Sequence, residues 1–326
     1  MDTWRNGILA TMLISSASLV TIPFLGVLSK PSVLKMGMAF AVGGLLGDVF
    51  LHIIPHEMGG GHDHGGGGGG HDHGGGGGGG HGHDDAHSHD AGHQHHGDDE
   101  HHAHSHGLAD LKPGLLIIGG IVVFMCIDKA MRATMGGGAH SHGHGHGKTA
   151  EFAKQTGRSP SPAASGKTAA AEETTTKTVA KSTAILNLVA DATHNFTDGL
   201  AIGVAFGRRE HEIATTLAVL LHELPHEVGD VAILIAAGYR PTQAVKMQFC
   251  TALGAMAGTI VGLLSGTYFS EASQVIGLIT AGGFIYVALV TVLPSLLEDS
   301  TFWQTVGEVL AIGAGVGLMA LVCLFE

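Results

Sequence analysis

The feature that most constrains the fold is a series of apolar segments, each about as long as a membrane-spanning helix. A span needs about 20 mainly apolar residues, and hydrophobic residues make up 44% of the chain while charged residues make up 13%. The first segment follows Arg5, as in a signal peptide, but its length and Pro23 favour a membrane helix. The sequence therefore predicts an all-α membrane protein with eight transmembrane helices and two disordered histidine-containing loops. The predicted helices lie at roughly 7–28, 34–57, 114–131, 182–206, 212–236, 244–269, 273–293 and 304–324.

Two polar inserts separate these helices. The first, at 58–112, is a Gly/His/Asp tract, and the second, at 133–181, is rich in Ala, Gly, Ser, Thr and Lys. Neither composition can bury a core, so both loops are predicted to be disordered. Lys and Arg concentrate on the side of the second loop, which predicts that it is cytosolic and that the first is luminal or extracellular. The predicted domains are 1–57 (helices 1 and 2), 58–112, 113–132 (helix 3), 133–181, and 182–326 (helices 4 to 8 with the metal site).

Both inserts contain HxH repeats, which suit weak, multivalent metal capture. Imidazole nitrogen is a ligand for Zn²⁺ and similar borderline metals. A flexible tract can concentrate such ions without forming a rigid site, and a neutral low-complexity spacer is the alternative interpretation. The capture histidines are predicted to include His62, His64, His71, His73, His81, His83, His140, His142, His144 and His146.

Three of the apolar segments carry polar side chains at helical spacing, which places each set on one face of its helix. An ionisable side chain at membrane depth is costly and marks an ion pathway by default. Hydrogen-bonded contacts between helices are the structural alternative, but they account poorly for so many histidines and carboxylates. The stripes comprise Asn187, Asp191, His194, Asn195 and Asp198 on helix 4, His222, Glu223, His226, Glu227 and Asp230 on helix 5, and Asp48, His52 and His56 on helix 2.

The depths of the helix 4 and helix 5 stripes agree. His194 lies about 12 residues from the cytosolic start of helix 4 and His226 about 10 residues from the cytosolic end of helix 5, so at ~1.5 Å per residue both lie near mid-membrane. Paired helices would therefore bring His194, Asp198, His222, Glu223 and His226 together. Imidazole plus carboxylate is an ordinary zinc ligand set, and the remaining stripe residues would line the path of the ion.

His222 to His226 also matches HExxH, in which two histidines bind zinc and the glutamate is the general base of a protease. Pro225 inside the motif would disturb the ligand geometry that such an enzyme must keep. The several further ligands on helix 4 suit an ion that is relayed between sites. A non-enzymatic carrier is therefore the preferred interpretation, and an intramembrane metalloprotease or a passive buffer built on the histidine tract are the alternatives.

Four motifs together resemble the ZIP (Zrt/Irt-like) zinc transporters, in particular the endoplasmic reticulum and Golgi branch that includes Catsup. They are HNFTDGLAIG (194–203), HELPHEVGD (222–230), GDVFLHIIPH (47–56) and TAGGFIYVALVTVLP (280–294). By position, the resemblance implies metal ligands at His194, Asn195, Asp198, His222, Glu223 and His226. It also implies an eight-helix fold, a homodimer, and transport of Zn²⁺ into the cytosol from the lumen or from outside.

The resemblance also indicates what the chain does not need and where it departs from its relatives. Zn²⁺ is the transported substrate and no cofactor is expected, and the formal charge of −12 argues against nucleic acid as a partner. An endoplasmic reticulum or Golgi membrane is the expected location, with the plasma membrane as the alternative, and a broader carrier for Mn²⁺ or Fe²⁺ is the alternative function.

In members with a two-metal centre helix 6 supplies a carboxylate, whereas Gln248 to Gly262 contains none. One high-affinity ion at mid-membrane is therefore predicted, with any second site weak and transient. The second stop is expected on the path formed by Asp48, His52, Asp191, Glu227 or Asp230.

Overall fold

The computed structural model describes residues 2–28, 30–59, 108–135, 162–265, 270–298 and 301–325. These residues are helical and contain no strand. The predicted metal-capture histidines at 62–106 and 140–146 lie outside the described residues, as does most of both predicted loops.

The described residues form eight successive helical rods. The rod α1 comprises Asp2–Ser15, a 3₁₀ segment at Ser16–Phe24, and Leu25–Leu28. The rod α2 comprises Pro31–Gly47, a π-helical segment at Asp48–Ile53, and Ile54–Gly59. The next four are α3 (Leu108–Met135), α4 (Pro162–Arg208), α5 (Glu212–Ala236) and α6 (Pro241–Ser265). The rod α7 comprises Ser270–Tyr286, a π-helical segment at Val287–Val292, and Leu293–Leu297, and α8 is Phe302–Cys323.

Six of these rods, α1, α2, α3, α6, α7 and α8, contain stretches long and apolar enough to cross a membrane. The other two, α4 and α5, carry the polar stripes and are not among the six. The structure therefore agrees with an all-helical protein that crosses a membrane several times, while the count of eight spans stays a prediction.

One boundary differs from the prediction. The loop predicted at 133–181 is helical from Pro162 onwards, because α4 begins there and continues unbroken to Arg208. Ala, the commonest residue of the stretch 163–181, has the highest helix propensity, and Lys and Glu also favour a helix, whereas the Thr residues there do not. A polar composition therefore excluded a buried core, as argued from the sequence, but it did not exclude an extension of the neighbouring helix.

Close helix pairs hold the bundle together: α4 packs on α6, α2 on α8, α3 on α7, and α2 on α5. Gly-rich patches such as 41–47 and 254–258 predict close packing of this kind. A Cβ atom at Gly258 would clash with the backbone carbonyl oxygen of Phe196, and one at Gly43 would clash with that of Ile312. Small residues thus let α4 approach α6 and α2 approach α8, as membrane helices commonly require.

A buried polar contact joins α3 to α7. The guanidinium of Arg132 contacts both oxygens of Asp128, at 2.8 Å from Nε to Oδ1 and 2.7 Å from Nη2 to Oδ2. The hydroxyl of Tyr286 donates to Oδ2 of Asp128 at 3.0 Å. This bidentate pair with an added hydrogen bond satisfies a carboxylate that is 3% exposed.

Candidate metal centre

The side chains predicted to bind metal lie on the facing sides of α4 and α5. His194 and Asp198 are one turn apart on α4, and His222 and His226 are one turn apart on α5, with Glu223 beside His222. All five side chains are buried. The i, i+4 spacing read from the sequence therefore corresponds to one continuous polar surface between two helices.

Four of these residues form a group that could hold one ion. Nε2 of His222 lies 2.9 Å from Oδ2 of Asp198, and Nε2 of His194 lies 3.6 Å from the same oxygen. Oε1 of Glu223 lies 3.7 Å from Nε2 of His194 and 4.0 Å from Nε2 of His222. One ligand atom from each of the four residues falls within 4.8 Å of the others. Two imidazoles and two carboxylates make a four-ligand set of the kind zinc takes.

A second group shares His194 with the first. Oδ2 of Asp48 lies 3.4 Å from Nε2 of His226 and 3.9 Å from Nε2 of His194. Asp48 begins the π-helical segment of α2, and such segments often occur at functional sites. The sequence placed Asp48 on the ion pathway, and the structure brings it into contact with the central histidines.

Buried polar atoms in both groups have no hydrogen-bond partner. They are Nε2 of His194 and His226, Oε1 of Glu223 and Oδ2 of Asp48. Leaving such groups unsatisfied in the interior costs free energy, so each needs an explanation. Ligation of a cation explains all four together, because imidazole nitrogen and carboxylate oxygen are metal ligands that turn towards one region.

An aromatic ring from α7 covers the centre. Phe284, which is 1% exposed, stacks on His226 with ring centroids 5.5 Å apart and meets His194 edge-on at 5.3 Å. The ring restricts the rotation of both imidazoles and excludes water on that side. A single phenylalanine in an apolar segment has no periodic signal, so the sequence did not reveal this contact.

A cavity of about 330 Å³ leads from the surface to the centre. Its lining reaches His194, Asp198 and His222 at one end and includes His211, in the turn between α4 and α5, at the other. His56 and Glu57 also line it, and a wider opening of about 600 Å³ shares His56, Glu57 and His211 with it. The cavity mouth therefore lies at the end of the bundle where α4 ends and α5 begins.

A line of imidazoles follows this cavity inward from the predicted pathway residues of α2. The His56 side chain is 75% exposed, and its ring centroid lies 6.2 Å from that of His52. The His52 ring lies 4.7 Å from that of the buried His222, and Nδ1 of His52 lies 3.0 Å from Oδ1 of Asp48. An ion could thus pass from an exposed histidine to the centre in short steps.

The remaining predicted residues lie on the far side of the centre. Asn195 is buried, and its amide nitrogen donates to Oδ1 of Asp191 at 2.9 Å. Asp191, Glu227 and Asp230 lie around Gln248 of α6, and Ser18 of α1 donates to Glu227. Gln248 and Ser18 were missed from the sequence, because a lone amide and a lone hydroxyl in apolar segments more often bond to backbone or water.

This fold and site define a class: an all-helical membrane protein that buries imidazoles and carboxylates at the end of an open cavity. The family described as "ZIP Zinc transporter" matches residues 2–323. The chain therefore belongs to the ZIP zinc transporter family, as its motifs predicted.

Individual relatives agree with this assignment. The chain is 41% identical over 99% of its length to "Zinc transporter zipt-7.2" of Caenorhabditis elegans, of which it covers 66%. It is 37% identical over 99% of its length to "Zinc transporter SLC39A7" of Mus musculus, of which it covers 70%. It is 32% identical over 88% of its length to "Zinc transporter ZIP13" of Danio rerio, of which it covers 75%. The chain thus spans roughly two thirds to three quarters of these relatives.

Proposed function

We propose that this protein is a secondary transporter that moves Zn²⁺ across a membrane into the cytosol through the centre between α4 and α5. The observation that carries the proposal is the group formed by His194, Asp198, His222 and Glu223, whose ligand atoms lie within 4.8 Å of one another in the interior. The family to which the chain belongs supports zinc as the substrate. In this proposal α4 and α5 also cross the membrane, which completes the eight predicted spans.

The direction of transport follows from charge and access. Lys and Arg concentrate on the side of the 133–181 loop, so that side is cytosolic by the positive-inside rule. The cavity mouth at His211 then faces the lumen or the outside. An ion would enter past His56 and His52, bind at the centre, and leave on the cytosolic side past Asp191, Glu227 and Asp230. Asn195 would assist as a neutral oxygen ligand.

The ligands themselves favour zinc over Mn²⁺, and membership of the family favours zinc over Fe²⁺. Mn²⁺ prefers oxygen ligands, whereas imidazole suits zinc and iron, and the centre combines three histidines with carboxylates. A broader divalent carrier is the second candidate. An HExxH protease is disfavoured because Glu223 lies among the ligand atoms of the centre and the relatives are named as transporters.

The setting of the transporter is proposed from its motifs. We expect an endoplasmic reticulum or Golgi membrane, a homodimer, and the five-part division at 1–57, 58–112, 113–132, 133–181 and 182–326. The helical start of α4 at Pro162 shortens the loop part of the fourth division. The histidine-rich inserts would concentrate zinc near the membrane without taking part in the central site.

The test is zinc flux into vesicles that contain the purified full-length chain and a trapped zinc indicator. Saturable uptake, competed weakly by Mn²⁺, is the expected result. Equal transport of Mn²⁺ would favour the broader carrier. Cleavage of membrane-segment peptides without zinc flux would favour the protease, and zinc binding with no flux would favour a passive buffer.

A further inference from the structure

A separate cluster of buried polar side chains lies one turn beyond the centre. Three carboxylate oxygens lie around the amide nitrogen of Gln248: Oδ2 of Asp230 at 3.0 Å, Oδ2 of Asp191 at 3.5 Å and Oε2 of Glu227 at 3.5 Å. Gln248 is fully buried and each acidic residue is at most 4% exposed. These four residues are called the inner carboxylate cluster below.

The inner carboxylate cluster lies on the side of the centre away from the cavity mouth. Asp191 precedes His194 in α4, whereas Glu227 follows His226 in α5. Because the turn between α4 and α5 is at the mouth, both displacements point towards the opposite end of the bundle. An ion that enters at the mouth and passes the centre would meet this cluster next.

The hydrogen-bond donors to the carboxylates of the cluster are neutral, and the imidazole of His226 in the centre also interacts electrostatically with all three acids. Ser18 donates to Oε1 of Glu227 at 2.7 Å, and Asn195 donates to Oδ1 of Asp191 at 2.9 Å. Within the described ranges, the ion pairs of Lys and Arg side chains do not involve any of the three acids. Neutral donors compensate buried carboxylate charge poorly, whereas a cation compensates it directly.

Two amide side chains add ligand atoms that are otherwise unexplained. Asn187, fully buried and one turn before Asp191, approaches the carboxylate of Asp230, yet neither atom of its amide completes a hydrogen bond. Oε1 of Gln248 also has no hydrogen-bond partner. Rotation about the last torsion of Gln248 exchanges its nitrogen and oxygen, so this side chain could present an oxygen to a cation.

We propose that the inner carboxylate cluster is a second cation site, at which the transported Zn²⁺ is held by oxygen ligands alone before its release to the cytosol. The three carboxylate oxygens surround the Gln248 nitrogen as they would surround an ion. The proposal rests on the transport function above, because it concerns a later stop of the same ion.

The ligand types of the two sites predict that zinc binds more tightly at the centre than at the inner carboxylate cluster. The centre offers imidazole nitrogen, which suits zinc, whereas the cluster offers only carboxylate, amide and hydroxyl oxygens, which suit harder cations. Zinc should therefore bind more weakly at the cluster than at the centre. Conduction requires a site that attracts the ion and also lets it leave, and an oxygen-only site on the cytosolic side meets both conditions.

The decisive variant is Gln248→Lys, which places a tethered ammonium group where the three carboxylates meet. The ammonium should occupy the site in place of the ion and lower the maximal zinc flux at least about tenfold, since like charges repel strongly at low dielectric. Tight zinc binding at the centre, measured by chelator competition on the purified full-length variant, should persist. The melting temperature in detergent should stay at or above that of the wild type, because the new charge is paired.

The matched control is Gln248→Met, which has a similar side-chain length but neither the N–H donors of glutamine nor the positive charge of the Lys variant. If the cluster binds an ion, the Met variant should transport zinc faster than the Lys variant, since its carboxylates stay available. If Gln248 only donates hydrogen bonds, the Lys variant keeps donors and should be the faster of the two. That reversed order, or wild-type flux in the Lys variant, would overturn the proposal.

Failure of this inference and failure of the proposed function give different results. Wild-type vesicles without zinc flux would refute the transporter itself. Wild-type flux together with an active Gln248→Lys variant would refute the second cation site alone. Loss of both flux and tight zinc binding in the Lys variant would also refute it, because the substitution would then act on the centre rather than on a later stop.

Discussion

Oδ2 of Asp198 lies 2.9 Å from Nε2 of His222 and 3.6 Å from Nε2 of His194, so one oxygen lies next to both imidazoles. Asp198→Asn keeps the shape of the side chain and removes its charge. Zinc flux should fall at least about tenfold, because losing the charge of a ligand should cost no less than losing a residue that only hydrogen-bonds to a ligand. Vesicle uptake at equal protein density measures this. Thr193→Ala is the control, because the hydroxyl of Thr193 donates to the backbone oxygen of Val189. If the Asp198→Asn variant takes up zinc as fast as this control, the assignment of Asp198 as a metal ligand is wrong.

Asp48 tests whether α2 supplies a ligand or only lines the path. Oδ2 of Asp48 lies 3.4 Å from Nε2 of His226, and its other oxygen lies 3.0 Å from Nδ1 of His52. If Asp48 belongs to the centre, Asp48→Asn should weaken tight zinc binding roughly 10–100-fold as well as reduce flux. Chelator competition on the purified protein measures the affinity.

The control for Asp48 is a second buried membrane carboxylate outside the centre. Asp128 pairs with Arg132 and Tyr286, so Asp128→Asn should lower the melting temperature and leave zinc affinity unchanged. If Asp48→Asn reduces zinc flux but leaves zinc affinity unchanged, Asp48 lines the path, as the sequence indicated, and is not a ligand of the centre.

At the scale of elements, the contact of α4 with α6 holds the metal-binding helix in place. A Cβ atom at Gly258 would clash with the carbonyl oxygen of Phe196, whereas a Cβ atom at Gly313 of α8 meets nothing within 4 Å. Gly258→Ala should therefore destabilise the protein by about 1–3 kcal/mol through overpacking, and Gly313→Ala should not. Thermal unfolding in detergent compares the two; equal melting temperatures would show that α6 can move away at little cost.

The sequence predicted the elements of the site better than the contacts between them. The stripes on α4 and α5 were predictable, because the spacing of His194 and Asp198, or of His222 and His226, fixes one helix face without any tertiary knowledge. The contacts of Gln248 and Phe284 were not predictable, because each is one residue in an apolar segment and depends on which helix packs against which. The start of α4 was also missed, because a polar composition does not exclude a helix that continues from the neighbouring apolar segment.

At the scale of the molecule, the charge pattern predicts on which side of the membrane each insert lies. Single cysteines placed in 58–112 and in 133–161, on a cysteine-free background, should react with an impermeant reagent from opposite sides. One rod, α3, separates the two inserts and is apolar enough to span. Labelling in sealed, oriented vesicles measures this, with permeabilised vesicles as the control. Labelling of both inserts from one side would contradict the membrane arrangement proposed for the whole chain.

The helix that precedes the first histidine tract ends near the mouth of the cavity, because α2 ends at Gly59 and its His56 and Glu57 line that cavity. Histidines tethered there would raise the local zinc concentration, whereas the buried residues of the bundle provide the path. Replacing the histidines of 62–106 with asparagine should therefore raise the zinc concentration for half-maximal uptake and leave the maximal rate nearly unchanged.

Acid should raise the half-saturation concentration as this replacement does. Acid applied to the asparagine variant should raise that concentration little further. Imidazole protonates near its unperturbed pKa of about 6.5, and a protonated ring does not bind metal. Lowering the luminal pH through this range should therefore raise the half-saturation concentration of the wild type more than that of the asparagine variant. Vesicle uptake across a range of zinc concentrations and pH values separates the two parameters. A variant that loses its maximal rate at saturating zinc would show instead that the tract belongs to the transport path, and equal acid responses would place the sensitive groups within the bundle.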